Sequence, residues 1–414
     1  MMPKSLSFNH AGEILVPCSK LVVPPHRWMQ LWLGLGLFWF LLAIALAPSN
    51  KLYQQGMIAF VWLPALLVIW PQRDRLVEVW RAQRGLCIAL LALGAWAGLS
   101  LLWTQEDQVV REFKRLFYIA LFLALFPVLA NGDPQRLIRC MQWAGVGLAG
   151  IALWSIVQFY VLAGNSWLAR MEGMGRLSHP ILGGYVIGLA AVWMMHWTPS
   201  SRALQVLWGV CLVFLASFVL LCQSRGAGLA LLFTALVMPV WRRDRYSLLV
   251  SAMAVLVILA AWLCFEPLLM ARGVSYRPQI FMASLDMIAA HPWLGLGMGA
   301  NYVVSADAQF FDHAHNLFTH VGIELGLPGI LLWALVWLLV LRYAWQARAC
   351  GYGQGLIGIW LFSFLAMQFD AASLTGTPRP EWFISWLPVG LATVLTWVRA
   401  SQPGVIKSHA PSNL

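Results

Sequence analysis

Long apolar runs, each closed by a short polar or basic segment, fill almost the whole chain. A run of roughly 17–25 apolar residues is the length that crosses a bilayer as a helix. The bilayer core holds no water, so each such segment must satisfy its own backbone, and a helix does so. Twelve spans are predicted on this basis: 28–47, 53–70, 85–103, 114–130, 141–162, 181–197, 204–222, 226–241, 247–265, 317–345, 355–370 and 382–398. The tenth is long and is interrupted at Gly326-Leu-Pro-Gly329. No period-two alternation points to a barrel, and no internal repeat stands out. The pattern predicts an all-α polytopic membrane protein, read as a single domain over residues 1–414.

One polar interval is much longer than the rest, at 266–316, and it contains "YRPQIFMASLDMIAAHPWLGLGMG". Ile280, Ser284, Met287 and Ile288 follow helical spacing, and His291-Pro292 ends the run. The spacing predicts a short amphipathic helix on the outer rim, then a glycine-rich turn and a return into the membrane at His313.

Composition sharpens this picture. The chain is 61% hydrophobic and only 10% charged, which excludes an ordinary soluble domain. The first 27 residues are mixed and carry Pro3, Pro17, Pro24 and Pro25, so they read as a cytoplasmic tail rather than a cleaved signal peptide. Seven cysteines are scattered without a CxxC pair and read as buried free thiols. A net charge of +11 would suit nucleic acid, but the basic residues sit at the ends of apolar runs. That distribution indicates membrane topology and contact with phospholipid headgroups, with no nucleic-acid partner.

With the N-terminus inside, the inner segments hold 17 of the 27 basic residues, including Arg73, Arg75, Arg81, Arg84 and Arg242, Arg243, Arg245. Both termini are therefore expected in the cytoplasm. Arg170, Arg176, Arg225 and Arg277 remain outside against the trend, which calls for another purpose.

Arg225, in "CQSRGAGLALL", sits at the outer end of a span beside Gly226 and Gly228. It is either an interfacial snorkelling residue or part of an anion site, where small glycines let a ligand approach the backbone. Arg277 precedes Pro278 at a helix start, where open N–H groups also favour an anion; a surface arginine over lipid phosphates is the plainer alternative. Two guanidinium forks suit a diphosphate. In "RMEGMGRLSHPILGGY", Arg170, Arg176 and His179 precede a helix begun by Pro180. That segment is as consistent with an ordinary loop as with one lining a substrate.

Three of the nine histidines fall in "HAHNLFTHVGIELGLPG". His313 and His315 would point apart on a helix but can converge on an extended loop. Asn316 suits the N-cap of the next helix, and His320 and Glu324 are four apart on it and can pair. Three readings stand: satisfied structural histidines, a metal site using His313, His315, Asp312 or Glu324, and a proton-transfer site at the outer rim. The cluster as a whole favours the last. Asp370, in "MQFDAAS", can orient a histidine or pair with Arg379.

These segments resemble the O-antigen ligase family of lipopolysaccharide assembly, within the wider ligase and polymerase superfamily. "SRGAGLAL" is similar to its arginine-bearing span, "YRPQIFMASLDMIAAHPWLGLGMG" to its arginine, helix and hPxxGxG turn, and "HAHNLFTHVGIELGLPG" to its His-Asn stretch followed by Glu-x-Gly-x-x-Gly. The resemblance is strong over residues 222–329. It implies an inverting, metal-independent glycosyltransferase of the bacterial inner membrane with its site facing the periplasm. The implied donor is an O-antigen glycan on undecaprenyl diphosphate, and the implied acceptor is a sugar hydroxyl of lipid A–core oligosaccharide. His315 is then the expected base, with His313 second. Arg225, Arg277 and Arg176 are expected to hold the diphosphate, with Asn316, Glu324, Asp370 and Arg170 in support and no cofactor or metal. An O-antigen polymerase, a protein O-oligosaccharyltransferase and, outside enzymes, a polysaccharide or lipid flippase are the alternatives.

Overall fold

The computed structural model describes residues 27–271 and 276–400. The expected cytoplasmic tail, Cys18, Arg272 and Lys407 lie outside the described residues. The architecture is a helical membrane body. It begins with α1 (Arg27–Leu46), then α2 (Asn50–Met57) and α3 (Leu63–Ile69), joined by a π-turn at Ile58–Trp62. Next come α4 (Arg73–Ala82), α5 (Arg84–Ser100), α6 (Val109–Ala130) and α7 (Pro134–Ile156), the last extended by a π-turn to Leu162. α8 (Pro180–His196), α9 (Arg202–Leu221), α10 (Arg225–Val237) and α11 (Arg245–Ala271) follow.

Each of the twelve predicted intervals falls on a helix or a run of helices. Among the described residues, seven helices are both long and apolar enough to cross a membrane. An eighth results if α4 and α5, bent by 105° at Gln83, count as one span. The remaining described helices fall outside that group. Helices α8 and α10 are only 17 and 13 residues long. α8 makes up for its length by burial: fourteen of its residues are buried, with Trp193 and Tyr185 at its centre.

The long loop holds α12 (Arg277–Ala290), where Ile280, Ser284 and Ile288 are buried as their spacing predicts. It also holds one element that the sequence reading does not anticipate. A hairpin pairs β1 (Val304–Ala306) with β2 (Gln309–Phe311) through Asp307 and Ala308, both at positive φ, as a two-residue hairpin turn requires. Three-residue strands are too short for any periodicity to register.

α13 (Leu317–Gln346) is broken at Gly326, which has φ 67° and ψ −169°. The glycine-rich turn seats on this break. Leu296 and Gly297 donate to the carbonyls of Ile323 and Glu324, and Leu327 donates to Pro292. Trp96 Nε1 on α5 donates to the Leu325 carbonyl and Trp103 Nε1, in the turn after α5, to that of Leu294, so this segment fixes the same junction. The chain closes with α14 (Gly351–Phe369), α15 (Glu381–Ile384), α16 (Trp386–Thr393) and α17 (Leu395–Ala400).

Candidate active site

Two helix starts meet at one cavity. Arg225 is the first residue of α10 and Arg277 the first of α12. Both line a cavity of about 310 Å³ together with Arg170, Ile181, Gln223, Ser224 and Gly226. The sequence builds this locally. Gln223 takes a positive φ of 50°, which reverses the chain after α9, and Ser224 Oγ then caps α10 by accepting from Ala227 N–H. Pro278 in the first turn of α12 suits a helix start. Each start leaves backbone N–H groups without intrahelical partners and carries the positive end of the helix dipole. Three guanidinium groups and two helix N-termini give this one space a positive lining that suits an anion.

The arginines are held by backbone carbonyls. Arg170 Nε donates to Cys222 O at 3.0 Å, and Arg277 Nε donates to Phe369 O at 2.8 Å. A Cβ on Gly226 would lie 2.9 Å from both Phe369 Cβ and Tyr185 Oη. This glycine therefore permits close packing of α10 on α14, while Gly228 faces open space. Arg176 does not line the cavity. It sits in a 3-10 turn at Gly175–Leu177, where Gly175 packs against the Ala45 carbonyl at the end of α1. Arg170, expected only in support, occupies the place in the cavity wall that was expected of Arg176.

The residue after Phe369 begins the second half of the site. Asp370 Oδ1 lies 3.2 Å from His315 Nδ1 and 3.2 Å from His313 Nε2. His313 Nδ1 is 2.7 Å from Asp312 Oδ1. The two imidazoles converge, with ring centroids 3.9 Å apart, because His315 adopts a left-handed backbone of φ 49°. Asp370 contacts these histidines, and no ion pair between it and Arg379 is present among the described residues.

The two histidines differ in what their partners leave open. His313 has a carboxylate at each nitrogen. Its burial alone would lower its pKa, but hydrogen bonding and charge from Asp370, then from Asp312, raise it above the ordinary value. His315 has Asp370 at Nδ1 and no partner on Nε2 among the described residues. Burial alone would push the Asp370 carboxyl up, yet the hydrogen bonds from His313 and His315 hold it well below the usual carboxylate range. A carboxylate that fixes Nδ1 and leaves Nε2 open is the arrangement of an oriented general base.

Asn316 caps α13 by accepting from Phe318 and Thr319 N–H at 2.8 and 3.2 Å, and it donates to Gln368 Oε1 at 3.0 Å. It thereby ties the start of α13 to the end of α14. Glu324 does not join the cluster. Eight residues along α13, roughly 12 Å of rise, it accepts from Gly299 N–H at 3.1 Å and lies 3.4 Å from His320 Nε2. That approach is within ion-pair range without hydrogen-bond geometry, since His320 Nε2 has no hydrogen-bond partner. His320 Nδ1 pairs with Tyr302 Oη at 2.7 Å. Glu324 and His320 therefore fasten the loop to α13.

His179, which the sequence placed with Arg170 and Arg176 in the loop before Pro180 without a role of its own, has charged neighbours from both halves of the site. It caps α8, with Nδ1 accepting from Leu182 N–H at 3.4 Å. Burial lowers its pKa, and Arg170, His313 and His315 lower it further against the opposing charge of Asp370. The signal was present as a histidine immediately before a helix-starting proline.

One ligand atom each from His313, His315 and Asp370 lies within 4.8 Å of the others, so a cation could also be held there.

The family model described as O-antigen ligase matches residues 210–334. An O-antigen ligase from Pseudomonas aeruginosa is 30% identical over 322 residues, which cover 76% of this chain and 78% of that protein. The chain belongs to the O-antigen ligase family. The interval matched by the O-antigen ligase model contains Arg225, Arg277, His313 and His315 but ends before Asp370 and begins after Arg170. This O-antigen ligase family member thus completes its site with residues on either side of the matched region.

Proposed function

We propose that this chain transfers an O-antigen glycan from undecaprenyl diphosphate to a sugar hydroxyl of lipid A–core oligosaccharide, at the periplasmic face of the bacterial inner membrane. The body crosses the bilayer twelve times, with both termini in the cytoplasm and the 266–316 loop in the periplasm. The observation that carries this reading is the junction at Phe369–Asp370. Phe369 O holds Arg277 of the anion cavity, and the next residue orients the base.

The chemistry follows from the leaving group. The acceptor hydroxyl gives its proton to His315 Nε2, and its oxygen bonds to the anomeric carbon as the bond from that carbon to the phosphate oxygen breaks. Attack opposite the leaving group inverts the centre. The lipid diphosphate departs with the electron pair, and Arg225, Arg277 and Arg170 with the two helix N-termini stabilise its charge. Asp370 stabilises the imidazolium. His313, with both nitrogens engaged, holds Asp370 in place. Metal independence fits this division of labour, because the arginines already supply the counter-charge a divalent ion would give.

The test is reconstitution of purified protein with lipid-diphosphate glycan and rough lipopolysaccharide, scored as a ladder on a gel. A ladder is expected with wild type and unchanged in excess EDTA. His315→Ala should lower turnover by about two to four orders of magnitude, the range for loss of a general base. Elongated lipid-diphosphate glycan without modified lipopolysaccharide would instead establish a polymerase. Activity abolished by EDTA and restored by a divalent cation would assign the His313–His315–Asp370 group to a metal.

A further inference from the structure

α8 begins with an unusual cap. Ser, Thr, Asp and Asn are the favoured N-cap side chains, and here the acceptor is the imidazole of His179. Because Nδ1 receives the Leu182 N–H, the neutral ring carries its proton on Nε2. The cap therefore fixes the tautomer and leaves one directed N–H donor at the far end of the ring.

The ring does not line the anion cavity, but the turn it caps borders it. Ile181, two residues on, lines the cavity. A Cβ on Gly184, in the same turn of α8, would lie 3.0 Å from Ala227 Cβ and 3.4 Å from Ser224 Cβ, so this turn packs directly on the turn that carries Arg225. Arg170, a cavity-wall arginine, and Asp370, His313 and His315 of the base cluster are its electrostatic neighbours. His179 is itself exposed at the start of this otherwise buried helix, with charged neighbours drawn from both the anion cavity and the base cluster.

We infer that His179 is a donor-binding residue whose Nε2–H hydrogen-bonds a phosphate oxygen of the lipid-linked diphosphate in the arginine cavity. This rests on the donor class proposed above. The neutral form suits the role, because protonation would cost the cap its acceptor and place a second cation beside Arg170. Guanidinium groups supply charge from the cavity wall, and a tautomer-fixed imidazole adds a contact with direction, which helps to set the angle of the glycan-bearing phosphate toward His315.

Capping and donating can be separated by two substitutions. His179→Asn keeps a good N-cap and removes the distal donor. His179→Gln places an amide N–H near the position of Nε2 and caps poorly. Full-length detergent-purified protein is titrated calorimetrically with undecaprenyl diphosphate, and melting temperatures are recorded alongside. His179→Asn should melt like wild type and bind about ten- to a hundredfold more weakly, as expected for a lost hydrogen bond to a charged group. His179→Gln should recover most of the affinity despite a lower melting temperature. Wild-type affinity in His179→Asn would overturn the inference and leave only a cap. A wild-type protein that does not bind undecaprenyl diphosphate would remove the donor assignment itself, and the inference with it.

Discussion

His315 stays in a backbone conformation that side chains rarely adopt, at a cost of about 1–3 kcal/mol. The adjacent cap at Asn316 and the contact to Asp370 hold it there, and the result is a ring with one nitrogen fixed and one open. His313, two residues earlier, is instead clamped between Asp312 and Asp370. Its raised pKa has a consequence for stability. A histidine whose folded pKa lies above its unfolded value stabilises fully below the unfolded pKa, and that contribution is lost as pH rises through the folded one. Asp370, held low, has the opposite sign: its contribution is present above the unfolded pKa and is lost as pH falls through the folded one. The melting temperature of wild type relative to His313→Gln should therefore shrink from about pH 6.5 upward, the ordinary histidine value. A difference that stays constant across that range would show that the clamp does not titrate as its contacts require. The sequence displayed these histidines and their ability to converge, but not the division of roles, since that depends on which nitrogen Asp370 reaches from 55 residues away.

At the level of elements, the break in α13 fixes the spacing between anion cavity and base. α12 and the first half of α13 lie against each other, joined at one end by the glycine-rich turn bonded to Ile323, Glu324 and Leu327. At the other end Arg277 opens α12 and His315 stands just before the Asn316 cap of α13. Gly326 makes this possible, because a Cβ there would lie 2.7 Å from Trp293 O and 2.8 Å from Pro292 O, and its dihedrals belong to a region that is essentially glycine-only. The interruption was legible from Gly-Leu-Pro-Gly, and α12 from its apolar spacing. Which loop arginine turns inward was not, because Arg170 and Arg176 share one loop and only packing on α1 separates them. Gly326→Ala should lose at least about 1–3 kcal/mol from the backbone alone, seen as a lower melting temperature, and should weaken transfer more than donor binding as the two helix starts move apart. A Gly326→Ala protein with wild-type melting and turnover would show that the break does not set this spacing.

Topology is a property of the whole molecule, and the cavity constrains it. α11 runs from Arg245 to Ala271, roughly 40 Å at 1.5 Å per residue, which exceeds a hydrocarbon core of about 30 Å. A helix of that length can place its two ends on opposite sides. Arg225, at the start of α10, and Arg277, just beyond α11, nevertheless line one cavity. If α11 crosses outward, α10 must cross inward, although its thirteen helical residues fall short of an ordinary span. The apolar run at 226–241 and the basic cluster Arg242, Arg243, Arg245 beyond it are the sequence features that fit such a short crossing. The prediction is made with the seven native cysteines replaced and one cysteine restored at an exposed position. Phe310→Cys, in the long loop, should react with a membrane-impermeant maleimide in cells whose outer membrane alone is permeabilised. Arg243→Cys, at the turn between α10 and α11, should react only after the inner membrane is opened. Labelling of both positions in intact spheroplasts would place the two turns on one side and leave α11 without a crossing, while labelling of Arg243→Cys alone would put the histidine cluster on the side where no periplasmic transfer could use it.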